Sequence, residues 1–177
     1  MVKLRLFLFL FLTSCQTTQP TIKVNLTSVF DKALTEKMLL PGKNTIKGSA
    51  LINQKGGGVV TCAGKWVGVR PATAYAQERI LNIYGNSEGG GVNVNYAPGR
   101  EFIPDNQDYY TLYKRTVCDP LGFFIFEDLA DGDFFVFTDI YWEVQWNAYY
   151  TSVEGATMVR KISVKNGEVK TVHLSNN

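Results

Sequence analysis

The chain has 177 residues and nearly balanced charge, 18 lysines and arginines against 16 aspartates and glutamates. That length suits one domain able to bury a core, and without any Lys/Arg cluster or basic stripe a nucleic-acid partner is not expected. The only histidine is His173 and no paired Cys-x-x-Cys occurs, so neither a metal site nor a cofactor is expected.

In chain order, Lys3 and Arg5 precede an apolar run from Leu6 to Leu12 and the small residues Thr13 and Ser14, the pattern of a secretory signal peptide over residues 1–14. The run is far shorter than the roughly 20 apolar residues a spanning helix needs. Lys3 and Arg5 also account for the whole net charge of +2, so the remainder of the chain is neutral. Leu12-Thr13-Ser14-Cys15 resembles the bacterial lipobox. That resemblance implies lipidation of Cys15 with three acyl chains, where one alone would bind a membrane weakly and reversibly. Gln16 after the cysteine implies the outer membrane rather than the inner. Residues 15–23 read as a lipidated polar tether. An ordinary signal peptide with a chance cysteine is the plainer alternative. Cys62 and Cys118 then form an even pair in an oxidising compartment, and a disulfide between them is expected, closing a loop worth about 4 kcal/mol. Two buried free thiols are the alternative.

Residues 24–177 read as a single domain. Phe30, Ala33, Leu34 and Met38 recur at helical spacing, predicting a helix over about 28–39 capped by Thr27 or Ser28 and packed against a sheet. Strand patterns follow at Thr45–Asn53, Val59–Cys62 and Lys65–Arg70. Thr73 caps and Gly85 ends a second helix whose apolar side is Tyr75, Ile80, Leu81 and Tyr84. Residues 85–108 read as a long polar connection, making 73–108 a helix–loop insertion. Strands are predicted at Tyr110–Cys118, Gly122–Glu127, Asp133–Trp146, Thr157–Val164 and Glu168–Leu174, joined by Gly- and Asp-containing turns. In the longest of these, Phe134, Val136, Ile140, Trp142, Val144 and Trp146 share one face, predicted to be core. Many short strands with regular turns argue for a mainly β, antiparallel sandwich.

The pattern Gly122-x-Phe124-x-Phe126-x-x-Leu129-x-x-Gly132-x-Phe134-x-Val136 resembles the signature of carboxypeptidase regulatory-like domains. Ile46-x-Gly48 and Val67-x-Val69 resemble that domain's earlier strands, and Thr61-Cys62-Ala63-Gly64 with Arg70-Pro71-Ala72 resembles bacterial envelope lipoproteins built on the module. The resemblance implies a transthyretin-like β-sandwich, here with one or two short accessory helices, and an accessory, non-catalytic role.

Candidate sites follow from what the core leaves over. Phe135 and Phe137 alternate away from the core face, so a helix or a protein partner must cover them. Tyr141, Tyr149 and Tyr150, flanked by Asn, Gln and Glu, are candidates for stacking on sugars or anchoring a protein, whereas Trp142 and Trp146 are assigned to packing. Gly85-Asn86-Ser87-Glu88-Gly89 matches a nucleophile elbow by letter but lacks the strand before and helix after, so no catalytic residue is assigned and no enzyme is expected. Asp105-Asn106-Gln107-Asp108 and Asp131-Gly132-Asp133 read as turn chemistry rather than calcium loops. The expected function is a non-catalytic, membrane-anchored envelope lipoprotein acting as a protein-interaction or structural module. A carbohydrate- or glycan-binding module is the alternative.

Overall fold

The computed structural model describes residues 21–95 and 98–176. The expected signal peptide, the lipidation of Cys15 and most of the tether lie outside them. Eleven strands and three short helices follow in the order β1 (Ile22–Asn25), α1 (Lys32–Met38), β2 (Pro41–Asn53), β3 (Val59–Thr61), β4 (Trp66–Pro71), α2 (Ala74–Tyr84), β5 (Gly89–Asn93), β6 (Arg100–Ile103), α3 (Asp108–Thr111), β7 (Lys114–Val117), β8 (Phe123–Leu129), β9 (Gly132–Asn147), β10 (Tyr150–Val164) and β11 (Val169–Ser175).

Two sheets form the sandwich. One has the order β5-β10-β9-β4-β7, all neighbours antiparallel. In the other, β2 pairs with β11 in parallel on one side and with β8 and β3 antiparallel on the other. A separate parallel pair, β1 and β6, lies off both sheets. Period-two alternation explains which side chains meet. Ile46, Ala50 and Ile52 of β2, Val67 and Val69 of β4, Phe124 and Phe126 of β8 and Phe134, Val136 and Ile140 of β9 join one buried cluster between the sheets. Cys62 and Cys118 are bonded within it, with Cα atoms 5.7 Å apart, tying the end of β3 in one sheet to the end of β7 in the other. Asn44 is fully buried, donating to the Leu129 carbonyl (3.0 Å) and Asp131 Oδ1 (2.9 Å) and accepting from the Gly167 and Glu168 amides.

The outer face of the five-stranded sheet carries a second cluster, in which α2 lays Tyr75, Ala76 and Ile80 over Phe135 and Val159. The predicted limits of α2 hold: Thr73 Oγ1 accepts from the Ala76 amide, and Gly85 closes the helix with φ 75°. Leu81, placed on its apolar side by sequence, is exposed, and Arg79 is buried instead. Helix α1 is shorter than predicted and is capped by Asp31, whose Oδ1 accepts from the Leu34 amide at 2.8 Å. The expected caps are occupied elsewhere: the amides of Thr27 and Ser28 donate to the Glu78 carboxylate of α2 at 2.8 and 2.7 Å. Leu34 is exposed and Thr35 is the buried residue of α1, so its apolar stripe is not its docking face. The polar connection expected over 85–108 contains β5 and β6. The strand expected from Tyr110 begins as α3 and becomes β7 only at Lys114.

Strands β9 and β10 outrun the sandwich. β4 pairs with β9 only over Phe134–Thr138, and β5 with β10 only over Ala156–Arg160. Beyond, Tyr141–Asn147 and Tyr150–Glu154 form a two-stranded ribbon that, among the described residues, pairs only with itself. At about 3.4 Å per residue it extends on the order of 20 Å.

Candidate functional site

The overrun creates the site. The face of β9 that is buried through Ile140 continues as Trp142, which still packs against the core, and then as Val144 and the exposed Trp146 toward the tip. Those three side chains line a groove of about 640 Å³, within the usual size range of ligand sites. Glu154, Gly155 and Ala156 of β10, Gly91 and Asn93 of β5, and Ile52 and Asn53 at the end of β2 line the rest, with Gln54, Lys55 and Asn176. Gly155 has φ 144°, and a Cβ there would collide with the Ile140 carbonyl, so glycine is required where the ribbon leaves the sheet.

Hydrogen bonds hold the groove's polar groups. Trp146 Nε1 donates to Ser152 Oγ at 2.8 Å, and Ser152 Oγ donates to Glu154 Oε1 at 3.2 Å. Both residues of this relay project from β10, so the exposed indole (65% accessible) is fixed against the ribbon. Asn53 and Asn176 bond reciprocally, amide N to Oδ1 at 2.9 Å and Nδ2 to carbonyl at 3.0 Å, and this seats the chain end after β11 on the groove's edge. Chemically the groove offers indole faces beside amide, carboxylate and ammonium groups. Indole faces suit C–H-rich surfaces, and the polar groups suit hydroxyls.

The aromatic residues singled out by sequence fall elsewhere. Tyr141 alternates to the opposite side of the ribbon from Trp142, with Lys65 Nζ 4.4 Å from its ring centroid. Tyr149 and Tyr150 stand at the ribbon tip, Tyr149 at 99% exposure. None of the three lines the groove. Of the two covers expected over Phe135 and Phe137, the helix is the one found: Phe135 is buried under α2, and Phe137 is half-buried with its ring 5.4 Å from that of Tyr113, so the two do not form an exposed binding surface. Of the two tryptophans assigned to packing, Trp142 does pack against the core cluster while also lining the groove, whereas Trp146 is exposed, because alternation alone does not reveal where the opposing sheet stops. Asn53, Gln54, Asn93, Glu154 and Asn176 come from distant parts of the chain and carried no local signal.

Other candidates have local roles. Ser87 lies beyond the α2 cap with Oγ 3.5 Å from Glu88, while His173 is exposed on β11 with Nδ1 2.9 Å from Ser49 Oγ. Asp105 pairs with Arg79, and Asp133 accepts from Ser163 and faces Lys161 at 3.4 Å. The hydrogen bond from Ser163, aided by Lys161, outweighs burial and holds the Asp133 carboxyl below its ordinary range. Among the described residues no group of three or more His, Cys, Asp or Glu side chains is placed to hold a metal, and no helix is long and apolar enough to cross a membrane.

No family model and no curated protein matches the chain. Among solved structures, a crystal structure described as that of a putative carbohydrate binding protein from Pseudomonas aeruginosa is similar, with a TM-score of 0.64 and 18% identity, over 82% of this chain and 97% of that one. A likeness at that identity establishes the fold, a mainly β sandwich with short helices.

Proposed function

We propose that this protein is a non-catalytic glycan-binding module of the cell envelope, anchored through lipid on Cys15, and that the Trp142–Trp146 groove is its binding site. The observation that carries the reading is the pair of indoles continuing a core face into an open groove flanked by Glu154, Asn93, Gln54 and Asn176. A pyranose presents a C–H face that stacks on an indole and a rim of hydroxyls that needs both donors and acceptors, and the groove supplies the two together. The similar fold of a protein described as carbohydrate binding supports the same reading. The lipid anchor rests on Leu12-Thr13-Ser14-Cys15, and outer-membrane placement on Gln16. A protein-interaction role is the second reading, favoured by the fully exposed Tyr149 beside Tyr150 at the ribbon tip.

The test is a glycan array and a peptidoglycan pull-down with the wild type, Trp146→Ala and the tip variant Tyr149→Ala. Glycan retention lost in Trp146→Ala and kept in Tyr149→Ala supports the groove. Retention unchanged by Trp146→Ala refutes it. Cys15→Ser is expected to move the protein from the membrane to the soluble fraction, and persistence in the membrane would refute the anchor.

A further inference from the structure

The other face of the five-stranded sheet holds a second cavity, of about 200 Å³, between α2 and the outward side chains of β4, β9 and β10. Its walls are apolar and aromatic, with Ile80, Tyr84, Tyr109, Phe137 and Val159 among them. Into this setting come two guanidinium groups, from Arg70 on β4 and Arg79 on α2.

The two arginines are not equivalent. Arg79 is 3% exposed and largely satisfied: it donates to Asp105, to the Tyr75 hydroxyl (3.0 Å) and to the Tyr110 hydroxyl. Arg70 has no such partners. Among the described residues no acidic side chain forms an ion pair with it, and no hydrogen bond is made by its buried Nε. Its guanidinium is held by ring faces instead, 3.8 Å from the centroid of Tyr109 and 4.8 Å from that of Phe137. The Nε of Arg79 is likewise buried without a partner. Ring faces attract a cation but accept none of its N–H bonds in the way an oxygen does, so the half-buried guanidinium, whose Nε is fully enclosed, retains unused donors. Gly68, two residues before Arg70 on the same face, leaves space for the Phe137 ring, since any Cβ there would strike it.

We propose that this cavity is a second binding site, for the carboxylate of a small flat organic acid, with Arg70 as its principal recognition residue. The planar fork of arginine matches a carboxylate in a bidentate pair, and the aromatic walls suit a flat apolar body. The cavity is smaller than a usual drug-sized site, which selects a single-ring acid or the acid terminus of something larger. Tyr84 lines the same cavity; burial, and then the charge of Asp139, pushes its phenol up, so it remains a neutral O–H donor. The one carboxylate nearby that bears on Arg79, Asp105, is already engaged by Arg79 and Tyr110 and leaves Arg70 free.

The site is independent of the groove, and its test keeps the two apart. Benzoate is titrated into the full chain in detergent by calorimetry, with benzamide as the uncharged control. Saturable one-to-one binding of benzoate is expected, with benzamide at least about tenfold weaker, because charge-assisted bonds exceed neutral ones by roughly a factor of two in strength. Arg70→Gln is expected to weaken benzoate at least about tenfold, while Trp146→Ala leaves it unchanged. If Arg70→Gln fails to fold, the wild type decides alone: benzoate must shift the ring resonances of Phe137 and Tyr84. Equal binding of benzoate and benzamide, no saturable binding, or shifts confined to the groove would overturn the proposal.

Discussion

Replacing both Cys62 and Cys118 with alanine removes the covalent tie between the two sheets while leaving the cluster around them apolar. The bond spans 56 residues of sequence, and a loop of that length restricts the unfolded chain by about 4 kcal/mol in the chain-entropy account. Alanine is the right replacement, because both positions are buried and a serine hydroxyl would add the cost of an unpartnered polar group. A loss of about 4 kcal/mol is a large share of the 5–15 kcal/mol by which a domain is ordinarily stable. At about 2–4 °C per kcal/mol for a chain of this size, the melting midpoint is expected to fall by about 10 °C. Urea unfolding of the full chain gives the free energy directly. The slope with denaturant is expected to rise in the variant, since the uncrosslinked chain exposes more surface when unfolded. A wild type shown by mass spectrometry to carry the bond, yet less than about 1 kcal/mol more stable than the variant, would refute loop restriction as what the bond contributes.

Two further outcomes follow from polar groups with defined partners. The amides of Thr27 and then Ser28 hold the Glu78 carboxyl down to about 2, below its unfolded value of 4.5. A depressed carboxylate stabilises the fold above its unfolded value, so the advantage over Glu78→Gln is expected near neutral pH and lost between about pH 4.5 and 2. Glu78 is solvent-accessible, so screening holds the difference to about 1 kcal/mol or less; acid titration of both proteins followed by circular dichroism checks it, and identical profiles would count against the interaction. Asn44→Ala strips partners from the Leu129 carbonyl, Asp131 and the Gly167 and Glu168 amides at once, and a loss of about 1–3 kcal/mol is expected in urea unfolding, with an unchanged midpoint as the contrary result.

Alternation and turn chemistry carried the sandwich strands and the second helix, because each was encoded locally. Phe134, Val136 and Ile140 alternate inward as expected, and α2 is bracketed by the capping hydroxyl of Thr73 and the left-handed backbone of Gly85. The failures share a cause: they depend on what lies opposite in space. Glycines 89–91 have weak strand preference, yet β5 forms because the β10 edge is there to pair with it. Arg79 reads as a solvated helix residue until Tyr75, Asp105 and Tyr110 surround it. Trp146 continues the core pattern of Ile140 and Trp142 with nothing in the sequence to mark that the core has ended. The disulfide was legible because only one pair of cysteines remained after Cys15, a matter of chemistry rather than geometry.

The ribbon that walls the groove gives its outer residues a distinct dynamic character. Beyond Trp142, which packs on the core, residues 143–147 and 150–153 pair only with each other among the described residues, so opening them exposes few apolar contacts and costs less than unfolding the sheet below. Their amides are therefore the ones that exchange with solvent fastest among the long strands. On the proposed reading, a ligand seated against Trp142 and Trp146 would spend part of its binding energy on quieting that motion, and the ribbon's amide exchange would slow in step with occupancy. Occupancy of the groove is thus readable from the backbone of a single hairpin, without any label on the ligand.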